Sequence, residues 1–417
     1  MQHIIIGAGP CGVVAAETLR KKSPSAKITL IGNEPEPPYS RMAIPYYLVN
    51  KITEDGTYLR QDQHYKELGI DYLSQPVTSI DTGSQLVTLA DQSQLPYDKL
   101  LIASGSHPVS PPIEGIDLPH VHSCWTLEDA RQITALAKTG SNVVLMGAGF
   151  IGCIILESLV KRGVNLTVVE MSDRMIPRML NETAGGLLKK WCIKKGVKVL
   201  TSTKITAISE SGSGMQVALD NGDSLLADLV ITATGVKPNT DFLQGSGIEV
   251  DNGVVVNNRL QTNIPSVYAA GDVARGKDFS TGNFSVQAIQ PTATDHGRIA
   301  ALNMAGMDVE HHGSLNMNVL DTLGLLSYSF GLWMGVEEGD SVSLYNPEAY
   351  QYINLRFGVD EDEDVLIGAS MLGDTAHVGI VRGLIESRIH LREWKERLLD
   401  NPIRLMEAYL ARTQEFG

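Results

Sequence analysis

The chain begins with a short apolar run, residues 3–6, that leads directly into the glycine-rich segment GAGPCG at 7–12. The same order returns later, where the apolar run 142–146 leads into GAGFIG at 147–152. After each glycine segment the apolar positions recur with helical spacing. A short apolar run bounded by glycine is typical of a buried strand, and the spacing after it is typical of a helix. The pattern therefore predicts two strand–turn–helix units.

Each glycine segment has the spacing GxGxxG and is followed by an acidic residue at the end of the next predicted strand, Glu34 in the first copy and Glu170 in the second. The first glycine makes the turn, the second lets backbone amides approach a pyrophosphate, and the third lets helix and strand pack closely. The helix N-terminus then faces phosphate charge, and the carboxylate accepts hydrogen bonds from ribose hydroxyls. The glycines concerned are Gly7, Gly9 and Gly12, then Gly147, Gly149 and Gly152. Two such sites indicate two dinucleotides, with electrons passing between them.

Two further segments repeat one another. Residues 97–106 contain a strand followed by Ala-Ser-Gly, and residues 229–239 contain a strand followed by Ala-Thr-Gly. This internal repeat predicts a duplicated nucleotide-binding fold, with the second copy inserted into the first. The strand in 267–273 returns the chain to the first copy and places Asp272 at its carboxyl end, where parallel sheets bind ligands. A helix rich in small residues is expected from about 293 to 305.

We therefore predict an α/β fold with two Rossmann-like dinucleotide-binding domains and a C-terminal α+β domain. The predicted boundaries are 1–117 with 239–311 for the first domain, 118–238 for the inserted domain, and 312–417 for the third. The third domain is expected to combine alternating strands with a helical tail, and it is a candidate dimer interface or docking face.

Composition narrows the classes of partner. The 417 residues carry a formal net charge of −14, which disfavours binding to nucleic acid and anionic membranes. No stretch of about 18 apolar residues is present, and the N-terminus lacks the features of a signal peptide. The four cysteines have no metal-binding or disulfide-framework spacing, so no metal site is expected and a reducing cytoplasm is the expected compartment. The lysine pairs at 189–190 and 194–195 are interpreted as solvated helix faces.

Taken with the two fingerprints, four more segments show a family resemblance. They are PYSR at 38–41, YDKLLIASGS at 97–106, ATGVKPN at 233–239 and VYAAGDVA at 267–274. Over nearly its whole length the chain resembles the FAD-dependent pyridine nucleotide-disulfide oxidoreductase superfamily, in its cysteine-less branch. Within that superfamily it is similar to NADH:rubredoxin and ferredoxin reductases and to the NADH-oxidising part of nitrite reductases.

The resemblance implies FAD in the first domain and a nicotinamide nucleotide in the inserted one. The residues implied for FAD are Gly7, Gly9, Pro10, Cys11, Gly12, Glu34, Arg41, Ser104, Gly105, Gly271, Asp272 and Ala293. Those implied for the nicotinamide nucleotide are Gly147, Gly149, Phe150, Ile151, Gly152, Glu170 and Gly235. The carboxylate of Glu170 accepts from a free ribose 2′-hydroxyl and repels a 2′-phosphate, so NADH is favoured over NADPH. Arg174 and Arg178 keep NADPH open as an alternative.

Three departures from relatives sharpen the prediction. Met42 stands where disulfide-dependent relatives have a redox cysteine, which disfavours thiol, disulfide and peroxide chemistry. Tyr46 and Ile154 stand where rubredoxin-reductase-like relatives have a Lys–Glu pair, and replacing both members avoids stranding a buried charge. We therefore expect an apolar hydride-transfer cleft that Tyr46 borders. His296, where relatives often have Gln, is expected either to tune the flavin or to pack the start of its helix.

The predicted reaction is hydride transfer between NAD(H) and FAD, with Tyr46 and His296 as candidate catalytic residues. The expected electron partner is an iron–sulfur protein of the ferredoxin or rubredoxin type. Two alternatives stay open: the NAD(H)-linked flavin subunit of a larger iron–sulfur dehydrogenase acting on a 2-oxoacid or carbon monoxide, and an NADH-sensing flavoprotein. The sequence leaves the acceptor, the direction of electron flow and the oligomeric state undecided.

Overall fold

The structure, a computed structural model, describes residues 1–61, 63–212, 214–373 and 376–413. The chain divides into two compact units. One unit contains Met1–Val109 and Val236–Ser314, and the other contains Ser110–Gly235 and Leu315–Gly417. The last four residues of the predicted third domain, 414–417, lie outside the described residues.

Both units contain helices and strands. The α-helices are α1 Pro10–Lys22, α2 Ile44–Leu48, α3 His64–Glu67, α4 Leu127–Leu136, α5 Phe150–Lys161, α6 Glu182–Lys194, α7 Gln290–Met304, α8 Val378–Ser387, α9 Glu393–Asp400 and α10 Leu405–Thr413. The first sixteen strands are β1 Gln2–Ile6, β2 Lys27–Gly32, β3 Ile70–Ser74, β4 Val77–Asp81, β5 Leu86–Leu89, β6 Gln94–Pro96, β7 Lys99–Ile102, β8 Ser106–Pro108, β9 Val121–Ser123, β10 Asn142–Met146, β11 Asn165–Val169, β12 Lys198–Leu200, β13 Ile205–Ser211, β14 Gly214–Leu219, β15 Ser224–Ala227 and β16 Leu229–Thr232. The remaining strands are β17 Val236–Pro238, β18 Val254–Val255, β19 Val267–Ala269, β20 Ala274–Lys277, β21 Phe284–Val286, β22 Met317–Thr322, β23 Leu325–Gly331, β24 Ser341–Asn346, β25 Gln351–Phe357 and β26 Leu366–Leu372.

The first unit is built around a parallel sheet with the strand order β19-β7-β1-β2-β3. Its central strand β1 is apolar from Ile4 to Ile6 and buried, as expected for a parallel strand covered on both faces. Helices α1 and α7 pack closely against each other. A side chain on Gly297 of α7 would bring its Cβ within 2.3 Å of the Cys11 carbonyl oxygen in α1, so this contact requires a glycine. The N-terminal halves of both helices are thereby held close to the carboxyl edge of the sheet.

The second unit contains two five-stranded sheets of different kinds. The parallel sheet has the order β12-β11-β10-β16-β9 and repeats the arrangement of the first unit around β10. The other sheet is antiparallel, with the order β22-β23-β26-β25-β24. Helices α8, α9 and α10 follow it in sequence, and α8 packs on β23 and β26. This second sheet and its helices form the predicted α+β region.

The predicted α/β fold, with one nucleotide-binding sheet inserted into the sequence of another, is confirmed. The acidic run 360–364 lies in the connection between β25 and β26, which pair as antiparallel neighbours. Helix α7 begins at Gln290, three residues before the expected start, because Pro291 fits the first turn, where its missing N–H has no partner to lose. In the part of the chain that the structure describes, no helix is long and apolar enough to cross a bilayer.

Candidate dinucleotide-binding sites

The first glycine turn connects β1 to α1 through contacts that exclude side chains. Gly7 has a φ of +117°, and a Cβ on it would lie 2.0 Å from the Ala103 carbonyl oxygen. A Cβ on Gly12 would lie 1.8 Å from the carbonyl oxygen of Gly7. Gly9 is different, because a Cβ there would meet nothing within 4 Å. Space for an approaching group is therefore kept open above Gly9, immediately before α1 begins at Pro10.

The second glycine turn connects β10 to α5 in the same way. Gly147 has a φ of +102°, and its Cβ would lie 2.5 Å from the Ala233 carbonyl oxygen. A Cβ on Gly152 would lie 2.3 Å from the Gly147 carbonyl oxygen, whereas a Cβ on Gly149 would again meet nothing. Helix α5 then begins at Phe150.

In both turns, the bare backbone and the first amides of a helix face open space. Helix N-termini attract anions because their N–H groups lack intrahelical partners and carry partial positive charge. The two turns therefore fit the pyrophosphate of a dinucleotide.

Glu34, after β2, is held by two side chains from the PYSR segment. The Tyr39 hydroxyl donates to Glu34 Oε2 over 2.6 Å, and Arg41 Nη2 donates to Oε1 over 2.7 Å. Each carboxylate oxygen can accept two hydrogen bonds, so both keep capacity for a ribose hydroxyl. The structure thus pairs two residues predicted for FAD, Glu34 and Arg41, and adds Tyr39, which the sequence interpretation did not single out.

Glu170, after β11, is buried and bonds to the glycine turn itself. Its Oε2 accepts the Ala148 N–H over 2.7 Å, and its Oε1 accepts the Ser172 N–H over 2.7 Å. Hydrogen bonds from N–H groups to a carboxylate are among the stronger ones in proteins. Glu170 therefore shapes the turn through its own hydrogen bonds.

The two arginines that kept NADPH open are arranged differently. Arg174 donates through Nε to the Leu180 carbonyl and through Nη1 to Asp173. Its guanidinium is thus shared with groups of its own loop. Arg178 is exposed.

Asp272 follows β19, and its neighbour in sequence, Gly271, lies against Cys11 and Ala293. All four residues were predicted to bind FAD. The Ser106 hydroxyl donates to Asp272 Oδ2 over 3.0 Å. Burial raises the pKa of Asp272, and the hydrogen bond from Ser106 and the charge of Arg41 partly offset that effect. A Cβ on Gly271, whose φ is +76°, would lie 3.3 Å from Cys11 Cβ and 3.4 Å from Ala293 Cβ.

The loop after β7 is fixed by Asn239, which we did not predict as a site residue. Asn239 Nδ2 donates to the Ser104 carbonyl over 2.7 Å, and the Ser104 hydroxyl donates to the Asn239 carbonyl over 2.9 Å. The Asn239 N–H also donates to the Gly105 carbonyl over 2.9 Å. The signal was present in the sequence, because Asn239 ends the ATGVKPN segment that carried the resemblance. Gly235, earlier in that segment, has a φ of +112° and open space where a Cβ would be.

His296 is buried in α7 within a small polar cluster. Its ring meets that of His311 edge to face, with 4.5 Å between centroids, and its Nε2 lies 3.4 Å from the Ser314 Oγ. A Cβ on Gly276 would lie 2.9 Å from His296 Cε1, so the imidazole lies directly against bare backbone. Burial lowers the pKa of His296 to about 3, assisted by His311. At neutral pH the ring is therefore uncharged.

Tyr46, the other candidate catalytic residue, lies in the short helix α2 with 53% of its surface exposed. Lys51 Nζ lies 5.8 Å from the centre of its ring, within the range of a cation–π interaction. Met42, which the family resemblance aligns with a redox cysteine, is exposed one turn earlier. Ile154 is half-buried in α5.

All four cysteines of the sequence are free and buried. Burial raises the pKa of all four thiols, and for Cys124 and Cys192 it raises the pKa to about 12. A thiol is nucleophilic only as the thiolate, so these side chains are held in their unreactive form. Cys11, in the first glycine turn, acts as a small packing residue against Gly271.

Comparison with protein families matches residues 1–297 to the pyridine nucleotide-disulphide oxidoreductases. The chain is 29% identical over 415 residues to the epsilon subunit of the NADH-dependent phenylglyoxylate dehydrogenase of Aromatoleum evansii, a match that covers 99% of this chain and 98% of the relative. It is 30% identical over 306 residues to the ferredoxin–NAD(+) reductase component of the 3-phenylpropionate/cinnamic acid dioxygenase of Photorhabdus laumondii, covering 73% of this chain and 77% of the relative.

Among solved structures, the fold is similar to that of the covalent putidaredoxin reductase–putidaredoxin complex. The TM-score is 0.90 and the sequence identity 24%, and the match covers 99% of both chains. At this identity the likeness concerns the fold, and it includes the C-terminal sheet and helices.

Proposed function

Because this chain belongs to the pyridine nucleotide-disulphide oxidoreductase family and is an FAD-dependent oxidoreductase linked to NAD(H), we propose that it exchanges the electrons of NAD(H) with an iron–sulfur protein. FAD, when bound, accepts a hydride and can release the two electrons one at a time. The observation that carries the proposal is the state of the cysteines. All four are buried with raised thiol pKa values. The family resemblance implies that Met42 replaces the redox cysteine of disulfide-dependent relatives. A thiol relay therefore has no residue to use, and a one-electron acceptor fits what remains.

The chain's own residues contribute binding and positioning to this reaction. We propose that the amides at the start of α1 and α5 hold the two pyrophosphates, with Glu34 and Glu170 accepting from the riboses. The domain assignment belongs to the same proposal, with FAD on residues 1–117 and 239–311 and the nicotinamide nucleotide on 118–238. Uncharged His296 would act through the placement of α7, whose first turn is expected to direct its amides to the flavin.

A second candidate is that the iron–sulfur partner is a permanent subunit. This candidate is favoured by the match to the phenylglyoxylate dehydrogenase subunit, which runs over 99% of this chain and 98% of that subunit, C-terminal region included. Phenylglyoxylate is a 2-oxoacid. In such a complex the electrons of 2-oxoacid oxidation would reach NAD⁺ through this chain.

An anaerobic titration of the FAD-loaded protein with NADH, and with NADPH in parallel, is the first test. Rapid bleaching of the flavin band by NADH, followed by reoxidation on addition of an oxidised ferredoxin, is expected. Affinity purification from native cells then separates the two candidates, since cluster-containing subunits recovered in fixed ratio indicate the permanent complex. A long-lived charge-transfer band with no transfer to ferredoxin would overturn the proposal and favour the NADH-sensing flavoprotein.

Tyr46 is proposed to border the nicotinamide during hydride transfer, so Tyr46→Ala should slow flavin reduction by NADH at least about tenfold, because loss of orientation is costly in such steps. Met334→Ala, at a large apolar side chain with 73% of its surface exposed between β23 and β24, is the control. Stopped-flow absorbance measures both rates. Unaltered reduction in Tyr46→Ala would remove this residue from the reaction.

A further inference from the structure

Helix α6 contains two consecutive glycines, and only one of them has a packing role. A Cβ on Gly185 would lie 2.8 Å from the Met175 carbonyl oxygen, so close packing requires glycine there. A Cβ on Gly186 would meet nothing within 4 Å. Glycine in a helix interior is about 1 kcal/mol less favourable than alanine. No packing contact of the described residues therefore explains a glycine at position 186. In this respect Gly186 is like Gly9 and Gly149 of the two glycine turns, where a Cβ would also meet nothing within 4 Å.

The open space above Gly186 is part of a groove of about 460 Å³, within the range of small-molecule sites. One wall is a single face of α6, and the other is the outer hairpin of the antiparallel sheet, β24 and β25, in the same unit. Helix α6 contributes Gly186, Leu187 and Lys190 to the lining, and the sheet contributes Tyr345 and Tyr352. Nothing in the proposed electron transfer uses this groove.

The walls of the groove are fixed by their own hydrogen bonds. The Asn181 side chain caps α6 by accepting the Ala184 N–H over 3.0 Å, and its amide donates to the Tyr352 hydroxyl over 2.6 Å. On the sheet, Asn354 Nδ2 donates to the Ser343 Oγ over 2.7 Å. Tyr352 and Asn354 are buried, and these hydrogen bonds connect them to Asn181 and Ser343 at the edge of the groove. We therefore infer that the groove is formed before any ligand arrives.

The charges of the groove favour an anion. Glu182 also lines it, but an acidic residue in the first turn of a helix is explained by the helix dipole. Lys190 lies eight residues further along, roughly 12 Å at the rise of an α-helix, so Glu182 does not neutralise it. Lys194, one turn beyond, has its Nζ 5.0 Å from the ring centre of Tyr350, which adds positive charge at the same end. The half-exposed ring of Tyr345 and the bare Gly186 offer flat surfaces for an aromatic ring.

We propose that this groove binds a small aromatic carboxylate, with the ring between Tyr345 and Gly186 and the carboxylate at Lys190. The site is separate from both glycine turns and would carry an effector or a substrate-like acid. The inference stands on its own residues and does not depend on which electron acceptor is correct.

The test uses the FAD-loaded protein saturated with NAD⁺, so that both dinucleotide sites are filled, and benzoate as the probe. Isothermal titration calorimetry is expected to show saturable binding below about 10 mM, with benzamide at least about tenfold weaker because it lacks the charge. Gly186→Leu fills the groove and should abolish binding, and Lys190→Met should weaken it at least about tenfold. Lys195→Met is the matched control, because Lys195 directly follows α6 and its Nζ lies 4.5 Å from the ring centre of Trp191. This variant should bind benzoate as tightly as the unmodified protein does.

Gly186→Leu adds its side chain to open space in a helix, so its melting temperature should not fall, which separates loss of the groove from loss of the fold. The absence of saturable benzoate binding overturns the proposal. Equal benzoate affinity in Gly186→Leu also overturns it, by moving the binding elsewhere. Binding of benzylamine in place of benzoate overturns the assigned charge and identifies Glu182 as the partner.

Discussion

At the scale of single residues, Glu170 fixes the shape of the second glycine turn and is proposed to accept from the ribose of the nicotinamide nucleotide. Its carboxylate accepts two backbone N–H groups, one from the glycine turn and one from Ser172. The turn therefore adopts its shape without a bound ligand. A ribose hydroxyl would donate to a carboxylate that already accepts two hydrogen bonds. The proposed preference for NADH and the stability of the turn would then both depend on the same two oxygen atoms.

Glu170→Gln tests this double role. The amide would present its NH₂ group to one of the two N–H donors, so the turn loses a charge-assisted bond worth about 1.5–3 kcal/mol. We expect the Kd for NADH in rapid flavin reduction to rise about tenfold or more, and the melting temperature to fall. Glu157→Gln, at an ion pair with Lys161 on the surface of α5, is the control. An unchanged Kd and melting temperature in Glu170→Gln would show that neither role is real.

His296 supplies a residue-scale prediction about pH. Its pKa is about 3 in the folded protein, because of burial, and about 6.5 in an unfolded chain. Below pH 6.5 the unfolded state binds a proton that the folded state does not, so stability decreases as pH falls from 6.5 towards 3. The slope from this one group is about 1.4 kcal/mol per pH unit.

Burial also lowers the pKa of His3, to about 4, and of His311, so the wild-type slope contains their contributions. The informative quantity is therefore the difference between variants. In urea denaturation between pH 4 and 6.5, His296→Gln should have a shallower slope than the unmodified protein by about one proton. Identical slopes in the two proteins would mean that His296 binds its proton as readily in the folded protein as in the unfolded chain.

At the scale of elements, local patterns and distant contacts differ in what the sequence reveals. Helices α1 and α5 were predicted from apolar spacing and glycine positions, which act within a few residues of one another. The bonds between Asn239 and Ser104 join positions 135 residues apart, and those between Asn181 and Tyr352 join positions 171 apart. No periodicity encodes such pairs, because they depend on how separate elements pack. The glycine turns were therefore predictable, and the groove over α6 was not.

Asn181 joins two elements and so gives an element-scale prediction. Asn181→Ala removes the N-cap of α6 and also removes the hydrogen bond that the Asn181 amide donates to the Tyr352 hydroxyl. Together these losses should lower the free energy of unfolding by roughly 1–3 kcal/mol. Asn181→Asp keeps the cap oxygen but loses the amide donor, so it should recover only part of the loss. Urea denaturation monitored by circular dichroism measures both. Equal stability of Asn181→Ala and the unmodified protein would show that these bonds contribute nothing net.

At the scale of the whole molecule, the net charge affects the rate at which a charged partner protein associates with this chain. A net charge of −14 repels other strongly acidic proteins at long range, so an acidic iron–sulfur partner would need local basic residues for docking. Such encounters are screened within about 8–10 Å at physiological salt. The rate of electron transfer to an acidic ferredoxin should therefore depend on ionic strength. A rate that falls as salt is added would indicate a basic docking surface, and a rate that rises would indicate an acidic one.

Electron transfer without a thiol relay can be tested by removing every cysteine of the chain. A variant with Cys11, Cys124, Cys153 and Cys192 all changed to alanine should still be reduced by NADH and should still reduce its acceptor, within about threefold of the unmodified rates. Each replacement removes only a sulfur atom from a buried site, so some loss of melting temperature is expected. Treatment of the unmodified folded protein with iodoacetamide should likewise leave both rates unchanged, because the thiols are buried and protonated. If the variant takes a hydride from NADH at the normal rate but no longer passes electrons on, one of these cysteines is part of the electron path and the proposed iron–sulfur route is wrong.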